Sequence, residues 1–361
     1  MQRTFTIILL GAATAAAAAI AVFVAAAHGR FGPAPKDARI DAARRSTVVE
    51  SAVALLERSY VFPDKAALIG RSLREKLRDG AFDGVDSALA FADALTDALR
   101  DASGDKHLEV RYMEAPIPEQ APGQDASAAD AAAESIQQLR FNFGFAELRR
   151  LHGNIGYLDL HQFGRPQGAY DRMAAAMTLL GDTSGLIIDL RHCGGGDPES
   201  VMRVASYLFD RRTHLNDIYW REDDRIEQRW TEENVPGRKY GSARPLYVLT
   251  SSDTFSGGED FAYALRNAGR AILVGETTGG GAHPGNPRRV DEHFMMFVPS
   301  GRPISPVTHT DWEGVGVVPD VPVSADKALD VARIAILRRL VAAETDADWR
   351  AKLQRAIEEL E

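Results

Sequence analysis

Ser256 stands where an apolar run, Leu246–Thr250, gives way to a helical pattern that continues to Ala268. A serine at the start of a helix can act as a nucleophile, because the helix dipole and nearby N–H groups favour an oxyanion there. The same serine and Glu259 also form the pattern of a capping box, in which serine only satisfies free N–H groups. The segment is not a Gly-x-Ser-x-Gly elbow, which counts against an α/β-hydrolase. Nucleophile and cap both stay open.

A second loop of chemical interest contains Gly194, Gly195 and Gly196, directly after the apolar run Gly185–Leu190. Three glycines allow the backbone to approach a ligand closely and to turn its N–H groups toward negative charge, as an oxyanion hole requires. A tight turn between strand and helix explains them equally well. The loop lacks the Lys-Ser or Lys-Thr of a phosphate-binding loop.

A serine nucleophile needs a base and an orienting acid. Among nine histidines, His107 ends the predicted helical region, and Glu313 lies in a glycine-containing loop near Trp312. A lone histidine is more often a packing residue, and a loop glutamate is usually solvated. Sequence spacing does not show that Ser256, His107 and Glu313 meet.

The elements that must position these residues follow from periodicity. Residues 41–100 have helical spacing with breaks at 62–64 and 80–84, and they predict a small helical bundle. Beyond them, short apolar strands alternate with helices, which predicts an α/β layer with parallel pairing. Loops after strands 185–190 and 246–250 would then share the sheet edge where such folds bind ligands.

The predicted organisation has five parts. Residues 1–27 combine Arg3, an uncharged apolar run and small residues, and they predict an export signal or, alternatively, an uncleaved membrane anchor. A helical domain is expected at 38–112, a proline-containing linker at 113–135, an α/β domain at 136–326 and a C-terminal helix at 327–361.

Composition narrows the functional classes. The 361 residues carry 42 Lys and Arg against 51 Asp and Glu, a formal charge of −9 without an evident basic patch, so nucleic acid is not an expected partner. The single cysteine, Cys193, excludes an internal disulfide and a cysteine-based zinc site. We expect neither cofactor nor catalytic metal.

Five segments, in order, resemble peptidase family S41, the tail-specific or C-terminal processing peptidases. They are 154–158, 185–196, 250–261, 274–284 and 312–320. The likeness is greater to the branch with the tricorn protease core and the interphotoreceptor retinoid-binding protein modules. It implies a ββα spiral core related to the ClpP and crotonase folds.

The resemblance also implies roles for particular residues. Ser256 matches the nucleophile, His107 the general base and Glu313 the orienting acid. The amides of Gly194, Gly195, Gly196 and Gly257, together with that of Ser256, are the expected oxyanion donors. The resemblance thus predicts a serine endopeptidase that acts on exported or envelope proteins or peptides. The predicted export signal places the protein in the periplasm or outside the cell, with attachment to the membrane if the segment is an anchor.

Three departures from the family patterns affect this expectation. Gly281 stands where the processing peptidases have the lysine of a Ser/Lys dyad, so that dyad is not expected. Residues 111–151 are too short and polar for a PDZ domain. Lys106 replaces the serine that precedes the base, and Ser103 or Asp105 is the candidate substitute.

Two other functions remain possible. The retinoid-binding branch uses this fold to carry apolar ligands, so a non-catalytic binding module is the main alternative. A crotonase-type acyl-thioester enzyme is a weaker one, because nothing resembles a site for a nucleotide-bearing acyl carrier. Oligomeric state is open.

Overall fold

The computed structural model describes residues 35–119 and 136–361, which form two compact units. The first comprises the described residues within Met1–Gln137, together with Trp220–Asp224 and Pro284–Gly301, and the second comprises Gln138–Tyr219, Arg225–His283 and Arg302–Glu361. Segments 220–224 and 284–301, which the sequence placed in the α/β domain, therefore belong to the first unit. The predicted leader at 1–27 and most of the predicted linker lie outside the described residues. Within the described ranges, no helix combines the length and apolar character needed to cross a bilayer.

The principal helices are, in chain order, α1 (Ala42–Ser59), α2 (Pro63–Arg78), α3 (Ala88–Ser103), α4 (Pro166–Leu180), α5 (Pro198–Ser206), α6 (Gly257–Asn267), α7 (Ala325–Ala343) and α8 (Ala347–Glu358). The strands are β1 (Glu109–Tyr112), β2 (Phe145–Leu151), β3 (Ile155–Leu160), β4 (Gly185–Asp189), β5 (His214–Trp220), β6 (Arg225–Trp230), β7 (Leu246–Thr250), β8 (Ile272–Gly275), β9 (Gly285–Arg289), β10 (Phe294–Pro299), β11 (Gly301–Ile304) and β12 (Val321–Pro322).

The first unit contains the three helices that periodicity predicted, with both breaks where proline and glycine occur. Asp41 caps α1 by accepting the Arg44 N–H at 2.8 Å, and Ser87 caps α3 through the Ala90 N–H at 3.0 Å. Pro63 opens α2, where a missing N–H costs nothing. Gly104 ends α3 with φ of +72°, a conformation that glycine adopts without strain.

The first unit also contains an antiparallel sheet, ordered β1-β10-β9. Phe91 of α3 packs edge-on against Phe294 of β10, with ring centroids 5.8 Å apart. This sheet was not predicted, because β1 has four residues and pairs with a strand more than 180 positions later in the chain. Helix periodicity is visible in sequence, whereas such distant pairing is not.

The second unit is built on a six-stranded sheet, ordered β12-β8-β7-β4-β3-β2. Strand β2 runs antiparallel to β3, and every other pair is parallel. The carboxyl ends of β3, β4 and β7 therefore meet at one edge, because Asp159 pairs with Asp189 and Asp189 with Leu249. The loops that contain the glycine turn and Ser256 leave from this edge, as predicted.

Both faces of this sheet are covered. In β4, Leu186 and Ile188 join a cluster with side chains of α4, α5 and α6, whereas Ile187 joins a cluster with α7 and α8. Each fully buried side chain of this type contributes about 1.5–3 kcal/mol. The uninterrupted apolar run 185–190 is therefore a strand buried on both sides.

The C-terminal segment forms two helices and not the single helix expected from 327 to 361. Helix α7 ends at Ala343, and Asp346 caps α8 by accepting the Trp349 N–H at 2.9 Å. A short acidic turn between the helices allows both to pack on one face of the sheet.

Candidate active site

Ser256 lies in a sharp turn between β7 and α6. Its φ of +51° and ψ of −117° fall outside the extended conformation that capping residues normally adopt. The capping residues Asp41 and Ser87, by comparison, have φ of −89° and −90°. A non-glycine residue held this way costs about 1–3 kcal/mol, and such strain concentrates at functional sites. The capping box is present, but a cap alone does not need this backbone.

The serine turn is fastened to the loop that follows β4. The Phe255 N–H donates to Cys193 O at 2.9 Å, and Thr254 Oγ1 donates to Leu190 O at 2.8 Å. Ser251 Oγ donates to Arg191 O at 2.5 Å. The two candidate loops therefore form one hydrogen-bonded frame at the carboxyl edge of the sheet.

The glycine turn contacts Ser256 closely enough to explain its composition. Gly195 has φ of +109°, and a Cβ there would lie 2.8 Å from Ser256 Cβ and 3.0 Å from Gly257 N. Gly196 has φ of +135°, and its Cβ would lie 2.2 Å from Phe163 O. Both positions thus exclude a side chain by conformation and by space, and Gly195 brings bare backbone against the serine.

Some of the predicted oxyanion donors already donate a hydrogen bond within the described part of the protein, and others do not. The Gly194 N–H donates to His161 O at 3.1 Å, and the Ser256 N–H donates to Glu259 Oε2 at 2.9 Å. Across the described residues, no backbone carbonyl accepts the N–H of Gly195 or Gly257. Gly257 directly follows Ser256, and the Gly195 backbone packs against the serine, so these two amides are the candidates for binding a developing oxyanion.

Glu259 is a fully buried carboxylate that organises the serine turn. Besides the Ser256 N–H, it accepts the Thr278 hydroxyl at 2.5 Å, the Gly280 N–H at 2.6 Å and the Gly281 N–H at 2.8 Å. Burial raises the pKa of Glu259 above its ordinary value, and these hydrogen bonds offset part of the rise. Its role thus extends beyond the local cap, to a loop twenty residues away.

Glu313 is attached to that same loop. Its Oε2 accepts the Ala282 N–H at 2.6 Å, and the Gly314 N–H donates to Gly280 O at 2.9 Å. The consecutive amides of Gly281 and Ala282 therefore bind Glu259 and Glu313. A short backbone segment links the serine turn to the predicted orienting acid.

His283 is a site residue to which the sequence gave no role. It is buried, and its Nδ1 lies 3.5 Å from Glu313 Oε2. The segment 281–284 is part of a family motif, but only the structure shows that its histidine contacts the acid.

His107 belongs to the first unit, whereas Ser256 and Glu313 belong to the second. Its side chain is 8% exposed and stacks on Phe297, with ring centroids 5.8 Å apart. Asp105 Oδ1 accepts the His107 N–H at 3.0 Å and lies 3.6 Å from Nδ1, while Tyr60 Oη donates to Asp105 Oδ2 at 3.0 Å. Of the two suggested substitutes for the missing serine, Asp105 is thus beside the imidazole, and Ser103 binds the Asp105 N–H at 3.0 Å.

The chain belongs to peptidase family S41. The profile of that family matches residues 154–323, and the profile of the N-terminal domain of S41 peptidases in eukaryotic interphotoreceptor retinoid-binding protein matches residues 42–141. The predicted family is thereby confirmed.

Curated relatives match part of the chain. The chloroplastic carboxyl-terminal-processing peptidase 2 of Arabidopsis thaliana is 26% identical over 168 residues, 46% of this chain and 32% of that protein. The carboxyl-terminal-processing protease of a Synechocystis species is 31% identical over 130 residues, 35% of this chain and 28% of that protein. The chain thus spans about a third of the length of these relatives.

Solved structures confirm the predicted fold. A putative peptidase from Parabacteroides merdae has a TM-score of 0.57 at 17% identity, covering 83% of this chain and 99% of that one. At this identity the likeness concerns fold alone. Together with the six-stranded sheet, it confirms the ClpP-like α/β core preceded by a helical region.

Proposed function

We propose that this protein is a serine endopeptidase of the tail-specific kind, with Ser256 as its nucleophile. The observation that carries the proposal is the strained Ser256 turn, with φ of +51° at a helix N-terminus and the Gly195 backbone packed against it. A strained serine beside two available amides is the arrangement that acyl transfer uses.

The proposed reaction has two stages. His107 takes the Ser256 Oγ proton, Oγ bonds to the substrate carbonyl carbon, and the oxyanion binds the N–H groups of Gly195 and Gly257. The C–N bond then breaks, and the amine leaves with the proton from His107. Water, deprotonated by His107, attacks the acyl carbon. The bond from that carbon to Ser256 Oγ then breaks, His107 returns the proton to Oγ, and the acid is released. Glu313 orients the imidazolium, directly or through a neighbour such as His283.

The histidine base is preferred to a Ser/Lys dyad for a reason in the chain itself. Gly281 offers no side chain at the dyad position, and its N–H is committed to Glu259. The proposal therefore assigns proton transfer to His107 and requires its imidazole to reach Ser256 Oγ during the reaction.

Substrate and location are part of the proposal. The matched relatives are carboxyl-terminal processing peptidases, two of them named as chloroplastic proteins of Arabidopsis thaliana. We infer that peptides or proteins are the substrates here. The positive, apolar and small-residue order of the first 27 residues supports export, with cleavage or retention of that segment as alternatives.

The deciding test is labelling with a serine-reactive fluorophosphonate. Wild type should be labelled stoichiometrically at Ser256, and Ser256→Ala should lose labelling and peptide hydrolysis while retaining its melting temperature within a few degrees. Ser252→Ala is the matched control, because Ser252 is exposed in the same turn and should leave labelling unchanged. Absence of labelling in folded wild type, together with saturable binding of an apolar ligand, would favour the alternative function, a non-catalytic module that binds apolar ligands.

A further inference from the structure

Outside the serine site, two histidines and an aspartate cluster at the carboxyl edge of the core sheet. His161 follows β3 and His192 follows the adjacent parallel strand β4, while Asp159 is the next-to-last residue of β3. The ring centroids of His161 and His192 are 5.5 Å apart, with planes at 77°. Both imidazoles reach solvent, since His192 is exposed and the His161 side chain is 35% exposed.

This separation suits a shared metal ion. Imidazole nitrogens bind Zn²⁺ at about 2.0–2.1 Å, and two such rings at a tetrahedral angle place their centroids about 5 Å apart. The observed spacing therefore needs only a small adjustment, which the exposed His192 side chain can supply. Water would complete the coordination, as it does in open zinc sites.

Asp159 supplies the supporting carboxylate that such sites use. Its Oδ2 lies 3.2 Å from His161 Nε2, which leaves Nδ1 of that ring as the ligand atom. Metal-bound histidines commonly donate their other ring N–H to a carboxylate, which fixes the tautomer and increases ligand basicity. The carboxylate also adds negative charge beside a divalent cation.

A comparison with Asp189 on the neighbouring strand shows that the hydrogen-bonding capacity of the Asp159 carboxylate is not fully used. Asp189 pairs with Asp159 in register, and its carboxylate is fully used by Tyr157 Oη at 2.8 Å and Arg191 Nη2 at 2.6 Å. Asp159 Oδ1, in contrast, is buried without a hydrogen-bond partner among the described residues. Two aspartates in equivalent positions thus differ, and the less satisfied one lies against His161.

We propose that His161 and His192, supported by Asp159, bind a borderline transition-metal ion such as Zn²⁺. The site takes no part in the proposed acyl transfer and does not depend on it. The bound ion would connect His192 to His161, whose carbonyl accepts the Gly194 N–H. Occupancy would therefore restrain the loop from 192 to 196.

The test is calorimetric titration of the full, tag-free chain with Zn²⁺ at about pH 7.5, because metal binding requires the unprotonated form of imidazole. We expect one high-affinity ion per chain with a micromolar dissociation constant. His161→Ala and His192→Ala should each abolish this binding, and Asp159→Asn should weaken it by about 10–100-fold. His152→Ala is the matched control, because His152 is exposed in the turn before β3, at the opposite edge of the sheet, and it should bind as wild type does.

A spectroscopic measurement keeps the proposal testable if a variant folds poorly. With Cu²⁺ as the probe, electron paramagnetic resonance of wild type should show two coordinated imidazole nitrogens, and each single histidine variant should lose that two-nitrogen signal. Unchanged Zn²⁺ affinity in the folded His161→Ala/His192→Ala double variant would overturn the proposal. No binding by wild type up to about 1 mM Zn²⁺, a free energy weaker than about −4 kcal/mol, would also overturn it.

Discussion

At the scale of single residues, the serine turn depends on contacts that are almost free of side chains. Gly195 allows its backbone to lie against Ser256 Cβ and Gly257 N, and Glu259 holds the Ser256 N–H from the other side. The serine is thus fixed between a bare loop and a buried carboxylate. This arrangement explains how a strained backbone persists, since the surrounding contacts over-determine it.

Gly195→Ala tests the close approach. The added Cβ would contact Ser256 Cβ at 2.8 Å and Gly257 N at 3.0 Å, so we expect the two amides to shift. Loss of an oxyanion donor lowers kcat by about 10²–10³-fold, and steady-state hydrolysis or the rate of phosphonate labelling would measure it. Gly269→Ala is the control, because Gly269 also has positive φ, +64°, but has no atom within 4 Å of its Cβ position. A Gly195→Ala enzyme as fast as the control would contradict the oxyanion assignment.

Residue types also determined which site residues could be predicted from the sequence. Type, spacing and family pattern predicted Ser256, the glycines and Glu313 as site residues, and the structure adds the contacts that each of them makes. His283 and the long reach of Glu259 were missed. Their significance lies in contacts with residues about twenty to thirty positions away, and no local pattern reports such contacts.

At the scale of elements, helix α6 carries Ser256 at its start and Asp260 in its first turn. Asn216 of β5 donates to Asp260 Oδ1, and burial raises the pKa of Asp260 to about 7, partly offset by the charge of Arg229 and this hydrogen bond. The helix that positions the nucleophile thus contains an acid that holds a proton well above the usual range.

This acid predicts a pH dependence of stability. An aspartate is half-protonated near pH 3.9 when unfolded, whereas here the folded state keeps the proton to about pH 7. Between these values the folded state binds more protons, so stability falls as pH rises from about 4 to about 7. Because part of Asp260 stays exposed, we expect the free energy of unfolding to fall by only about 1–3 kcal/mol over this pH range. Urea unfolding measured across this pH range should show that the free energy of unfolding depends less on pH in Asp260→Asn than in wild type.

The control for this pH dependence is Asp253→Asn, because Asp253 is exposed in the turn that precedes α6. It should reproduce the wild-type change in unfolding free energy with pH. An Asp260→Asn variant that also reproduces it would show that this carboxyl does not titrate differently in the two states.

Helix α7 is the second element with a clear energetic role. Ile336 is fully buried and contacts the start of β4 so closely that a Cβ on Gly185 would lie 2.6 Å from its Cγ2. We expect Ile336→Ala to lower the free energy of unfolding by about 2–5 kcal/mol, because it leaves a cavity under the sheet. Leu179→Ala, at a site that is 72% exposed, should change stability by less than about 0.5 kcal/mol. Chemical denaturation of the two variants would separate these outcomes.

At the scale of the whole molecule, the proposed mechanism takes its base from one compact unit and its nucleophile from the other. His107 and Asp105 belong to the first unit, and Ser256, Glu259 and Glu313 to the second. The proposed chemistry therefore requires residues of both units.

His107→Ala tests that division of roles. Loss of a general base should lower kcat by about 10²–10⁴-fold with the fold intact, measured by hydrolysis rate and circular dichroism. His293→Ala is matched, because His293 also lies in the first unit and stacks on an aromatic ring, that of Tyr112 at 5.9 Å. The control should keep most of its activity. If His107→Ala hydrolysed peptide as the control does, another group would have to serve as base, and His283 would be the next to replace.

The sequence by itself determined the features that arise from local order. Ten to twenty consecutive residues are enough to show helix periodicity, capping residues, doubly buried strands and the glycine and serine turns. The α/β class follows from the alternation of strands and helices. The family followed from five such segments in order.

Only the tertiary structure decided the features that depend on distant pairing. The sheet of the first unit joins β1 to a strand from the last third of the chain, so the unit boundaries cross the predicted domains. Which amides stay available for an oxyanion, which acid contacts His283 and which aspartate keeps an unpartnered oxygen likewise depend on contacts between separate segments. The physical reason is that hydrogen bonds and packing act over a few ångströms in space, without regard to separation along the chain.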